Sequence, residues 1–73
     1  MKAALTVTRQ NVGAGHIAFT RSDGEVFHLN LLESGHASLF HEDEPPPYGI
    51  GLDVSIADKP ARAEKLILAY PNW

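Results

Sequence analysis

The tripeptide Ser22-Asp23-Gly24, set between two runs rich in β-forming residues, constrains this chain more than any other feature. A three-residue loop of this kind is a type I turn followed by glycine in the left-handed region, and it closes a hairpin with a bulge. Counting outward predicts one antiparallel hairpin over 16–31. It sets Arg21 opposite Glu25, Thr20 opposite Val26, Phe19 opposite Phe27, Ala18 opposite His28, Ile17 opposite Leu29 and His16 opposite Asn30. One face then holds Ile17, Phe19, Phe27, Leu29 and Leu31, closed at the turn by a pairing of Arg21 with Glu25. A two-residue loop of Asp23 and Gly24 would shift the register by one and split the apolar residues between the faces.

Glu33-Ser34-Gly35 repeats the pattern, with glycine again third. The same count places Leu32 opposite His36, Leu31 opposite Ala37, Asn30 opposite Ser38, Leu29 opposite Leu39 and His28 opposite Phe40. Ala37 and Leu39 extend the same apolar face, so two turns agree on which side is buried. Upstream, residues 3–8 read as a first strand with Leu5 and Val7 on one face, and 9–15 as a loop. Gly13-Ala14-Gly15 lacks the third glycine and the following helix of a phosphate-cradling loop, so it reads as a turn.

Glu42 to Tyr48 ends the meander, because its three prolines cannot donate to a ladder. Residues 49–56 resume alternation, with Ile50, Leu52, Val54 and Ile56 inward. In the last segment, Asp58 suits a helix N-cap, Pro60 suits a first turn, and Ala63, Leu66, Ile67 and Tyr70 share a helical face ended by Pro71. Leu66, Leu68 and Tyr70 also alternate as a strand would. The expected fold is α+β, a five-stranded antiparallel meander with a short C-terminal helix. The alternative is an all-β barrel or sandwich of six strands.

With 73 residues, the expectation is a single small domain spanning 1–73. Such a domain buries only about 60% of its unfolded surface. The chain contains no cysteine, so neither a disulfide nor a thiolate metal site supplements the core. The apolar run after Lys2 is broken by Thr6 and Thr8, too short for a signal peptide, and no run is long enough to span a bilayer. A cytoplasmic location is the default, with no membrane partner. Charge is uneven: +3 over residues 1–21, −6 over 22–44 and zero over 45–73. Lacking a basic cluster, the chain is a poor candidate for direct nucleic-acid binding, whereas its acidic middle favours a basic partner.

The predicted register places His16, Ala18, Thr20, Val26, His28, Asn30, Leu32, His36, Ser38 and Phe40 on the face opposite the core. Val26 and Phe40 make that face more apolar than a merely solvated one, so either another element of the chain or a partner covers it. His16 and His28 are diagonal neighbours, roughly 7–8 Å apart at the backbone. Lacking a third ligand, they give no tight metal site, and His41 beside Glu42 and Asp43 is a weaker candidate still. Ser34, Ser38, Ser55 and the histidines supply residue types for hydrolysis, but none sits in a strained turn like a nucleophile elbow. No catalytic residue, metal or cofactor is therefore assigned.

Pro45-Pro46-Pro47-Tyr48 resembles the Pro-Pro-x-Tyr peptide ligand of WW domains, over four residues. Its place between two strands favours a rigid connection. In size, acidity and lack of catalytic residues, the chain is similar in type to the small inhibitors that mobile elements encode against host nucleic-acid machinery, anti-CRISPR proteins among them. The expected function is thus a non-enzymatic protein-interaction module that occupies a basic surface of a larger nucleic-acid-handling partner. Its expected contact residues are His16, His28, Asn30, Phe40, Glu42, Asp43, Glu44 and Tyr48. The alternatives are a structural protein that forms a homodimer through the exposed sheet face and, third, a minimal metal-dependent or hydrolytic enzyme.

Overall fold

The computed structural model describes residues 4–45 and 48–73. Strands β1 (Val7–Gly13), β2 (His16–Arg21), β3 (Val26–Leu31), β4 (Ala37–His41) and β5 (Ile50–Leu52) are followed by helix α1 (Lys59–Ala69). The strands form one antiparallel sheet in the order β1-β2-β3-β4-β5. This is the α+β meander expected from the turns, and the six-stranded alternative is not formed.

Both predicted registers are found residue for residue, from Thr20 opposite Val26 to His16 opposite Asn30, and from Leu31 opposite Ala37 to His28 opposite Phe40. Gly24 and Gly35 take φ of 95° and 92°, the left-handed geometry that the third loop position requires. The buried face carries Ile17, Phe19, Phe27, Leu29, Ala37, Leu39 and Leu52, and α1 lays Ala63 and Ile67 against it. Leu66 and Tyr70 flank that contact as partly buried neighbours. Asp58 caps the helix, its carboxylate accepting from the Ala61 N–H at 3.1 Å, and Pro60 stands in the first turn. Leu31, expected on the buried face, is 40% exposed at the end of β3.

The outer strands depart from expectation. The first strand runs over Val7–Gly13 rather than 3–8, so Arg9 to Gly13 pair with β2 instead of looping; Ala3 lies outside the described residues. Arg9, Gln10 and Asn11 show no apolar alternation because an edge strand that is largely exposed gives selection no buried side to mark. The last strand stops at Leu52 rather than Ile56. The Asp53 carboxylate accepts from the Ser55 hydroxyl at 2.6 Å and from the Ser55 N–H at 3.1 Å, and this side-chain turn diverts the backbone from the ladder. Val54 is consequently exposed, and Ile56 packs only at the margin of the core.

The charged closure at the first turn also differs. Arg21 and Glu25 are joined through the backbone, the Arg21 N–H donating to the Glu25 carbonyl at 2.8 Å, but the two side chains take separate partners. Arg21 forms a two-pronged contact with Asp23, Nε to Oδ1 at 2.9 Å and Nη2 to Oδ2 at 2.7 Å. Glu25 turns instead to His41. Bidentate geometry favours the nearer carboxylate, which lies in the same turn.

Candidate functional site

Because α1 covers one side of the sheet, the other side is left to solvent. Its positions are Thr8 and Gln10 on β1, His16, Ala18 and Thr20 on β2, Val26, His28 and Asn30 on β3, Ser38 and Phe40 on β4, and Gly51 on β5. None of them is buried, and none is lysine or arginine. No described element of the chain covers this face.

Across it runs a hydrogen-bonded chain of three side chains. His16 Nε2 lies 2.9 Å from His28 Nδ1, and His28 Nε2 lies 3.3 Å from Glu42 Oε1. A carboxylate only accepts, so His28 donates through Nε2–H to Glu42, which leaves Nδ1 to accept from His16 Nε2–H. One tautomer is thereby selected for the row. The His28 ring stacks on Phe40, with centroids 5.4 Å apart and planes at 28°. At this end of the face the Glu42 N–H donates to the Val26 carbonyl at 3.0 Å, so Val26, Phe40, His28 and Glu42 form one corner, apolar beneath and acidic at its rim.

The structure brings four of the expected contact residues together, His16, His28, Phe40 and Glu42, with Asn30 on the same face opposite His16 and Ser38. It separates the others. Asp43 points to solvent, while its N–H donates to His41 Nδ1 at 3.1 Å. The Glu44 carboxylate accepts from the Tyr70 hydroxyl at 3.2 Å, toward the helix side. Glu42 and Glu44 thus serve opposite faces of the sheet. Tyr48 is 68% exposed, and Pro46 and Pro47 of the Pro-Pro-x-Tyr stretch lie outside the described residues.

A second cluster, on the helix side, was not foreseen. His41 is buried, donates through Nε2 to Glu25, stacks on Tyr70 with centroids 4.9 Å apart, and meets Phe27 edge-on. Trp73 closes the group against Phe27 and Tyr70, its Nε1–H donating to the Leu66 carbonyl at 2.6 Å. Hydrogen bonding to Arg21 holds the Asp23 carboxyl below its usual range, and hydrogen bonding to Asp23 holds the guanidinium above its own. Burial, aided by Glu44, holds the Tyr70 phenol above its usual value. Extending the second hairpin count by one pair would have set His41 opposite Phe27 on the inner face, so the signal for His41 was present.

Ser34, His36 and Asp53 also approach one another. Ser34 Oγ lies 3.1 Å from His36 Nδ1, and Asp53 Oδ1 lies 3.9 Å from His36 Nε2. The His36 and Asp53 side chains are more than half exposed, and the Asp53 carboxyl is held low chiefly by the Ser55 hydroxyl. Such an arrangement binds a turn together in water. Among the described residues no group of three or more histidines or carboxylates is placed to hold a metal, and no helix is long and apolar enough to cross a membrane. An open cleft of about 540 Å³ lies between residues 55–58 and the Ala61, Arg62 and Lys65 side of α1. The chain matches no known protein family, no curated protein and no solved structure.

Proposed function

We propose that the chain is a non-enzymatic protein-interaction module that docks the outer sheet face and its acidic corner on a basic surface of a larger, nucleic-acid-handling partner. One observation carries this reading: the helix covers a single face, and the uncovered face joins Val26 and Phe40 to Glu42 with no cation among its positions. An apolar anchor beside a charged rim is the usual division of labour at an interface, the anchor setting lifetime and the charge setting encounter rate. A cytoplasmic site of action accords with this reading.

The test uses the immobilised protein, its Phe40→Glu variant and its Glu42→Gln/Asp43→Gln variant, each incubated with lysate and then with whichever protein the parent retains. The parent is expected to hold a partner with a basic surface. The double Gln variant should associate more slowly, with a flatter dependence on ionic strength, because the lost attraction is the screened one. Equal capture by all three proteins overturns the docking face. A dimer abolished by Phe40→Glu, with nothing else captured, replaces this reading with self-association through the same face.

A further inference from the structure

The open edge of β1 has a hydrogen-bonding polarity that can be worked out. The Thr6 carbonyl accepts from the Ser22 N–H at 2.8 Å, and the Thr6 N–H donates to Ser22 Oγ at 3.0 Å, so Thr6 faces the rest of the sheet. Direction alternates along an antiparallel strand. Thr8 and Gln10 therefore bond to β2, while Val7 and Arg9 point their N–H and C=O groups outward. The far side of β2 agrees: Arg21 bonds to Glu25, which turns Phe19 toward β3 and leaves Thr20 and Ala18 for Thr8 and Gln10.

Natural proteins blunt an exposed edge with lysine, proline, short length or a bulge. The β5 edge is three residues long, whereas β1 has seven residues with neither lysine nor proline. Its single charge, Arg9, is neutralised by Glu64 at 2.9 Å. A bulge between Asn11 and Gly13 disturbs only the far end. The acidic turn after β4 lies three strands away, about 14 Å at the usual spacing. That exceeds the screening length of about 8 Å at physiological salt, so those acids do not repel a second copy at this edge, and of the acids nearer to it Asp23 is paired with Arg21 and Glu25 with His41.

We propose that β1 is a self-pairing edge: two copies join antiparallel about a two-fold axis at Thr8, Val7 of each exchanging backbone hydrogen bonds with Arg9 of the other. Symmetry requires outward residues to meet outward residues, which puts the axis at a residue rather than between two; an axis at Val7 would pair little of β1 with itself, and Thr8, Arg9 and Gln10 are the next positions along the strand. An axis at Arg9 sets two guanidinium groups opposite each other, which is unfavourable. An axis at Gln10 draws the bulge into the ladder. At Thr8 the two threonines face each other on the outer side, and Val7 faces Arg9 on the inner. The inference is independent of the docking face, which the pairing leaves uncovered.

The mass of the protein by light scattering, from dilute to concentrated, should double. Arg9→Pro removes the outward donor at a position where an edge strand accommodates proline, and leaves the bonds of Thr8 and Gln10 to β2 intact. It should remain monomeric, while Arg9→Ala, which loses only the Glu64 contact, should still dimerise. If Arg9→Pro fails to fold, amide exchange on the parent decides. The Val7 and Arg9 amides should become protected on concentration, whereas Gln10 is protected throughout. A parent that stays monomeric with an unprotected Arg9 amide overturns the proposal. So does a dimer that survives Arg9→Pro but not Phe40→Glu, or protection of Arg9 that appears only with an added partner.

Discussion

Arg21 on β2 donates through Nη1 to the carbonyl of Ile67 in the last turn of α1, at 2.7 Å, and the same nitrogen reaches the Tyr70 carbonyl at 2.8 Å. The helix has no basic residue in its last turn, so a strand supplies the cation that its carbonyl end attracts. Asp23 holds the guanidinium from the other side, which fixes its direction. Replacing Arg21 by Met should strip the Tyr70 carbonyl of this donor and leave the Ile67 carbonyl with the Tyr70 N–H alone, at 3.2 Å, a loss of about 1–3 kcal/mol. Chemical denaturation of Arg21→Met against the parent measures the loss; Arg21→Lys, which cannot fork, should restore only part of it.

The Arg21–Asp23 contact also sets an acid limit. The Asp23 carboxyl is held low in the folded state, so the unfolded chain takes up the proton first as pH falls. The contribution is complete above about pH 4 and is lost as pH drops through the lowered folded value. Asp23→Asn should therefore flatten the acid limb of Tm against pH. At the other extreme Tyr70 is held above its usual value, so its contribution persists below about pH 10 and fades as pH rises through the folded value. Tyr70→Phe should flatten that alkaline limb.

Two glycines separate backbone strain from crowding. At Gly24, with φ of 95°, an added Cβ meets nothing within 4 Å, so Gly24→Val should cost only the strain of positive φ, about 1–3 kcal/mol. At Gly49, with φ of 118°, the Cβ would collide with the Leu39 carbonyl oxygen, which belongs to the sheet backbone. Gly49→Ala should lower Tm more than Gly24→Ala does, and equal melting temperatures would refute the close approach.

Phe27 and Phe40 lie on opposite faces of the sheet, and their substitutions should diverge. Phe27 is fully buried, and its replacement by alanine should cost about 3–5 kcal/mol. Phe40 is half-buried and stacks on His28 at the surface, so Phe40→Glu should melt within a few degrees of the parent. Unfolding of Phe40→Glu would show that the outer face is itself part of the core.

The central strands were legible because two glycine-terminated turns fix both register and parity, and parity then names the buried side. The helix was legible from Asp58, Pro60 and the spacing of Ala63 and Ile67, once its competing alternation gave way to packing on the sheet. β1 was not, since Arg9, Gln10 and Asn11 are exposed and carry no periodic signal. β5 was overextended because the Asp53 side chain competes with the ladder for its own backbone. At the site, diagonal neighbours announced the His16–His28 contact. The Glu42 contact depends on how the chain curls after β4, and no local pattern encodes that.

Among the described elements every strand is bonded to its neighbour in sequence, and α1 returns across the chain to β1, β2 and β3. Each hairpin therefore closes a short loop, whereas the contacts of the helix with β1 and β2 join segments far apart in the chain, Arg9 with Glu64 among them. The meander can zip from either turn before the helix arrives, and Arg21, already placed by the first turn, waits at the position where the helix must end. Loosening that latch would release the C-terminal segment first and uncover the inner face, leaving a sheet open on both sides.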